Sequence, residues 1–253
     1  MIKALLHRKI RWIVAAENGD DREHVDGQSP SAAITALEDP LTSGVFERIA
    51  YLTPAMAWAL LRAACVDRAR MCLAEEAMPT GEPKWSFWPS LNAAEAGANK
   101  LRVEPDVLVE WGNLVLVIEA KHAARQVGAQ WIEQVGAIRT TDRFRDKDIV
   151  LMAAGGADFE TFSACANEMD GAFANTVPEL WWMRWEALRA EVDRLQQLEN
   201  VSDPGTRAIL HDIAAVLDAW GYRPRLWFDT LPAAASWWRI TTAQKVLAQW
   251  IVG

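Results

Sequence analysis

Cysteine, histidine and tyrosine are scarce in this chain: three, four and two of them among 253 residues. Cys65, Cys72 and Cys165 form no CxxC pair and no cluster with histidine, which points away from a zinc site and from a disulfide framework. The thiols are expected to be reduced and in the core, as in a cytoplasmic protein. Long apolar runs are missing as well. No stretch approaches the ~18 residues of a membrane span, and the longest candidate, residues 55–66, is broken by Arg62. The N-terminal residues are interrupted by His7, Arg8, Lys9 and Arg11, which argues against a secretory leader. There is no GxxxxGK[ST] phosphate loop and no GxGxxG turn after a strand, so an energy-dependent step would fall to a separate subunit. Positive charge is in deficit, with 26 Lys and Arg against 34 Asp and Glu and a net charge of −8. That excludes a uniformly basic surface but not a local patch. Lys100 with Arg102, and Arg139, Arg143, Arg145 and Lys147, are the candidate patches; each would serve equally well as a solvated surface charge.

Apolar residues, by contrast, make up 51% of the chain, enough for one large core or one domain with an appendage. The stretch at 104–122, EPDVLVEWGNLVLVIEAKH, organises the rest. Two β-forming runs, Val107–Trp111 and Leu114–Ala120, flank the two-residue loop Gly112-Asn113, which signals a hairpin. With Trp111 opposite Leu114, Asp106 falls across from Glu119, and strand alternation puts Lys121 on the same face. The opposite face, Val107, Val109, Trp111, Leu114, Leu116 and Ile118, is wholly apolar. His122 falls on that side as a structural or solvent-exposed residue, and Glu110 reads as a surface charge.

Two carboxylates about 5 Å apart across a ladder repel. A proton, an ammonium group or a hard divalent cation would offset the repulsion. A solvated salt bridge from Lys121 to the two acids is the plain alternative, but one lysine leaves a charge uncompensated beside Leu108, Val115 and Val117.

The pattern Pro105-Asp106, twelve residues, then Glu119-Ala120-Lys121 resembles the PD-(D/E)XK, or restriction-endonuclease-like, nucleases. The order of elements around it fits that resemblance. A helix over 37–52, with Thr42 or Ser43 as cap and Val45, Phe46, Ile49 and Leu52 on one stripe, is followed by a buried helix from 54 to about 76. An edge strand at 85–91 precedes the hairpin. After it come a helix over 125–140, with Val127, Trp131, Val135 and Ile138 facing the core, and an apolar strand, Asp148–Ala154. The fold class expected is therefore α/β, with a helix, three strands, a helix and a strand around a mixed central sheet. Residues 1–36 read as an N-terminal element and polar linker, 37–160 as the nuclease core, and 161–253 as a helical C-terminal extension packed on it. That extension, with helices expected over 179–198 and 203–220, resembles those of bacterial defence-associated members of the superfamily.

The resemblance implies DNA phosphodiester hydrolysis dependent on Mg2+ or Mn2+, in an anti-phage or restriction system. It assigns Asp106, Glu119, the Ala120 carbonyl and Glu38 to the metal, with Glu47 the alternative to Glu38. It assigns Lys121 to orienting and helping to deprotonate the attacking water, and a helix glutamine, Gln130, to the site, with Gln134 one turn further on. The bland readings are an acid favoured by its helix dipole and two exposed amides. Implied partners are DNA and other subunits of a defence complex, without a membrane; double-strand cutting by a single-site subunit would favour a homodimer. The rival reading is a catalytically silent module of the same fold that binds DNA or serves as a scaffold. Most of the fourteen tryptophans are expected in the core.

Overall fold

The computed structural model describes residues 38–65, 78–92, 102–198 and 203–223. The N-terminal element and linker, Cys72, Lys100 and everything beyond 223 lie outside the described residues. The second helix, expected to run to about 76, ends at Ala63, and Cys65 forms a β-bridge with Met183.

Five strands form a mixed sheet in the order β1 (Lys84–Phe87), β4 (Val107–Trp111), β5 (Leu114–Ala120), β6 (Asp148–Ala154) and β7 (Glu179–Met183). The first two joints, β1 to β4 and β4 to β5, are antiparallel, whereas β5, β6 and β7 run parallel. A separate two-stranded ribbon, β2 (Leu91–Asn92) with β3 (Arg102–Val103), lies between β1 and the hairpin in sequence. The hairpin register is the expected one: Trp111 opposes Leu114 and Val107 opposes Ile118. Gly112 sits at φ 56°, the left-handed conformation that a glycine-first primed turn needs.

Both faces of the sheet are covered. On one, α1 (Glu38–Ile49), α2 (Pro54–Ala63), α5 (Trp185–Gln196) and α6 (Pro204–Ala219) bury Phe46, Leu61, Leu188 and Leu217 against Val109, Leu116, Ile118 and Met152. On the other, α3 (Gly128–Thr140) and α4 (Phe159–Phe173) bury Trp131, Val135, Ile138 and Phe162 against Leu108, Val117, Leu151 and Trp182. Burial on both sides is why β5 and β6 read as continuous apolar runs rather than as alternating strands. Among the described residues no helix is long and apolar enough to cross a membrane.

Several expectations need correcting. Residues 179–183 are a strand, not the start of a helix: β7 pairs with β6, and α5 begins only at Trp185. The segment expected as a helical extension thus supplies an edge of the central sheet. The expected strand over 85–91 stops at Phe87, because Trp88 turns into the left-handed region at φ 46°. Thr42 and Ser43 cap nothing; both are buried inside α1, where Thr42 Oγ1 donates to the Glu38 carbonyl (3.1 Å). Val127 is half exposed at the entry to α3 and does not face the core. Glu110 is not a plain surface charge, since Arg143 (3.7 Å) and Lys147 (3.8 Å) approach its carboxylate.

The turn after β6 fixes the functional end of the sheet. Gly155 and Gly156 have φ 69° and 63°. A Cβ on Gly155 would collide with the Lys121 carbonyl and the Trp185 indole nitrogen, and one on Gly156 with the Lys121 side chain. Gly155→Ala is expected to cost about 2–3 kcal/mol of stability, combining strained φ and overlap with two groups that have no room to retreat. Urea denaturation checks this; a loss below about 0.5 kcal/mol would mean that the turn relaxes freely.

Candidate functional site

The ladder between β4 and β5 ends at Val107 and Ile118, and the chain bends at Asp106. Asp106 therefore does not face Glu119 as a ladder partner. Its Oδ2 instead accepts the Ala120 N–H (2.8 Å), and its Oδ1 accepts the Trp88 indole N–H (3.3 Å). Trp88 also donates its backbone N–H to the Asp106 carbonyl (3.0 Å). Its positive φ is rare for so bulky a residue and costs roughly 1–3 kcal/mol.

Glu119, at the end of β5, is 1% exposed. Its side chain points towards α3, whose turns bring Gln130 and Gln134 over it, four residues apart on one face. Gln130 Nε2 donates to Oε1 (2.6 Å) and Gln134 Nε2 to Oε2 (2.5 Å), and the Lys121 ammonium also bonds to Oε1. Gln134 Oε1 is buried without a hydrogen-bond partner. The two glutamines expected near the site are thus both on Glu119, and neither is a free surface amide.

Lys121 lies one residue beyond β5. Its N–H donates to the Ala154 carbonyl (2.8 Å), and its own carbonyl accepts the Trp185 indole N–H (2.8 Å). The ammonium reaches Glu119 on one side and Glu38 Oε1 (3.0 Å) on the other. Glu38 Oε2 in turn accepts the His122 N–H (3.1 Å). Glu38 stands in the first turn of α1, where the helix dipole favours an acid. Of the two acids considered there, the structure brings Glu38 to Lys121. Glu47 is two and a half turns further along the same helix, buried, and accepts the Ser43 hydroxyl.

Burial, then the charge of Glu119, pushes the Asp106 carboxyl well above its usual range, against the pull of Lys121 and the Ala120 N–H. Burial raises Glu119 too, opposed by Lys121 and the Gln134 bond. For Lys121 burial acts downwards, but Glu119, Asp106 and Glu38 together outweigh it and hold the amine above the usual lysine value. The lysine is therefore an ammonium ion in this arrangement.

No family model, curated protein or solved structure matches this chain. The chemistry of the site rests on its own geometry. Among the described residues no three His, Cys, Asp or Glu side chains converge as a metal-ligand set. Mg2+, however, is commonly held by one or two carboxylates, with carbonyl, water or substrate oxygens completing the shell. Asp106 and Glu119 are buried hard-oxygen donors, so with the Ala120 carbonyl they fit such an ion in kind.

Three contributors were not anticipated from sequence. Gln126, nearly fully buried, donates through Nε2 to the Glu119 carbonyl (3.0 Å) and the Gly155 carbonyl (3.1 Å), and accepts the Trp131 indole N–H (2.9 Å). It ties the ends of β5 and β6 to α3. Trp88 and Trp185 act through single indole N–H groups, which no local pattern announces. His122 is half-buried, with Nδ1 2.6 Å from the Tyr222 hydroxyl. The expected basic patch lies elsewhere. Arg143 and Lys147 sit near Glu110 at the hairpin end, and Arg139 binds Thr176. Seven residues of strand separate that end from Lys121, roughly 20 Å.

Because the folded-state carboxyl of Glu119 titrates above its ordinary value, both states are protonated at low pH. As pH rises through the window above that value, the unfolded chain releases its proton first and stability falls. Glu119→Gln removes this penalty, and a flip of the Gln134 amide would accept the new N–H. The variant is expected to melt at or above the wild-type temperature near pH 7, with the difference shrinking towards about pH 4. Calorimetry across that range checks it; a pH-independent difference would mean that Lys121 and the glutamines fully neutralise the charge.

Proposed function

We propose that the chain is a metal-dependent phosphodiester hydrolase of the restriction-endonuclease-like type, acting on DNA. The observation that carries the reading is the grouping of Asp106, Glu119 and Lys121 at the end of one hairpin, where the Lys121 ammonium bonds both Glu119 and Glu38, and Asp106 accepts the N–H of Ala120, between Glu119 and Lys121 in sequence. The mixed sheet, helix-covered on both faces, is compatible with that core. The PD and ExK residues, the glutamine helix and the first-helix acid all meet at the carboxyl end of β5.

On this reading Asp106, Glu119 and the Ala120 carbonyl would hold Mg2+ or Mn2+, with Glu38 contributing directly or through a water. The ion, when bound, supplies Lewis-acid stabilisation of negative charge on the phosphate oxygens. Lys121 orients the attacking water and stabilises developing charge as an ammonium. Glu119, Asp106 and Glu38 hold its amine above the usual lysine value, so in the arrangement described it carries its proton. Gln130 and Gln134 hold the Glu119 carboxylate in place, and Trp185 does the same for the Lys121 backbone.

A second reading has its own observation. Lys121 bridges Glu38 and Glu119, and the glutamine amides engage both Glu119 oxygens, so the cluster is already hydrogen-bonded as it stands. That favours a silent scaffold or DNA-binding subunit, for which a bound cation would add nothing.

Supercoiled plasmid incubated with Mg2+, Mn2+ or EDTA separates the two. Cleavage with either metal, none with EDTA, and a loss of at least ~100-fold in Lys121→Ala are expected of the nuclease. Cleavage that survives EDTA or the substitution would sink it. A scaffold would neither cut nor gain melting temperature from Mg2+.

A further inference from the structure

Among the described residues only Trp88 and Ala174 combine a side chain with positive φ, and Ala174 merely ends a helix. Trp88, 5% exposed and at φ 46°, lies directly after β1, where nothing in the strand pairing requires a left-handed residue. Such a conformation persists in a bulky side chain only when its surroundings over-determine it. Here the surroundings are Asp106. The Trp88 backbone N–H bonds the Asp106 carbonyl (3.0 Å), and the indole N–H bonds Asp106 Oδ1 (3.3 Å), while the Ala120 N–H takes Oδ2 (2.8 Å). Each carboxylate oxygen thus has one fixed donor and keeps further lone-pair capacity. Glu119 is held differently, by a competing ammonium.

Resting on the nuclease reading, we propose that Trp88 is a positioning residue that holds the Asp106 carboxylate in the orientation in which it can ligate a divalent cation. Its indole N–H is neutral and so orients the acid without supplying the positive charge that a cation would have to displace. Hydrogen-bonding partners of metal ligands fix ligand direction in this way, and their loss typically costs ~10–100-fold in metal affinity.

The test uses the full chain. Trp88→Phe keeps an aromatic ring and the φ constraint but removes the N–H. Calorimetric titration with Mg2+ is expected to show binding weakened by ~10-fold, and the Mg2+ concentration for half-maximal cleavage should rise by more than kcat at saturating Mg2+ falls. A purely structural role would lower the melting temperature and leave the metal dependence alone. A second measurement holds even if that variant does not fold. In wild-type protein labelled with 15N-tryptophan, the Trp88 indole cross-peak should move on adding Mg2+ and move again in Asp106→Ala. Wild-type Mg2+ affinity in Trp88→Phe, or a Trp88 indole indifferent to both changes, overturns the proposal and leaves the nuclease reading standing. Absence of Mg2+ binding by the wild-type protein overturns the reading beneath it.

Discussion

One ammonium, that of Lys121, bridges the carboxylates of Glu38 and Glu119 at the end of the central hairpin, and Glu119 and the neighbouring Asp106 are almost completely buried. Charge withdrawn from water is costly, and a buried ion pair is often no more stable than an apolar pair of the same shape. The fold answers with donors. Trp88 and Ala120 give N–H groups to Asp106, Gln130 and Gln134 give theirs to Glu119, and His122 gives its backbone N–H to Glu38. Every one of these orients a carboxylate, and none of them carries a full positive charge. A structure with no use for concentrated negative charge would reach a more stable core by replacing the cluster with apolar side chains. This one surrounds it with fixed dipoles instead.

The rest of the architecture follows from holding that end of the sheet still. In open sheets with parallel strands the functional crevice lies beyond the carboxyl ends of the strands. Here the ends of β5, β6 and β7 are stitched together by backbone bonds from Lys121 to Ala154 and from Gly155 to Met183. Gln126 closes the gap between Glu119 and Gly155 from within the loop that leads into α3. Trp185, the first residue of α5, reaches back to the Lys121 carbonyl. The C-terminal helices are therefore part of the support for the lysine, and β7 makes their segment part of the sheet.

Legibility in the sequence varied with the range over which each residue acts. The hairpin register was readable because a two-residue loop and a period of two leave no freedom: one slip would put every apolar side chain on the wrong face. The misreading at Glu179–Met183 has a specific cause. Trp181, Trp185, Leu188, Val192 and Leu195 fall at helical spacing, so a strand running directly into a helix imitates one longer helix, and Arg184 provides no side-chain cap to mark the boundary. Thr42 and Ser43 misled in the opposite way, since hydroxyls that bond back along a helix resemble hydroxyls that start one. At the site, the pairing of Glu119 with Lys121 was legible from strand alternation, whereas the ladder that was to set Asp106 across from Glu119 stops one pair short, at Val107 and Ile118. Glu38 came only through the resemblance, because no local periodicity links residues 83 positions apart. Gln126, Trp88 and Trp185 were not legible at all. Their contributions are hydrogen bonds set by tertiary geometry.

Charge distribution constrains the proposed function further. The chain is acidic overall, and several of its described basic side chains are engaged at the hairpin end, where Arg143 and Lys147 approach Glu110. At the site end the strands are followed by Lys121, Arg125 and Arg184. Lys121 is already shared by two acids, and Arg184 lies 4.0 Å from Glu186. Non-specific affinity for DNA grows with the number of phosphates that lysine and arginine neutralise. The described surface around the cluster supplies few such contacts. On the nuclease reading, a phosphodiester would be drawn in less by a basic field than by a cation seated on Asp106 and Glu119, with other subunits supplying the remaining grip on the nucleic acid.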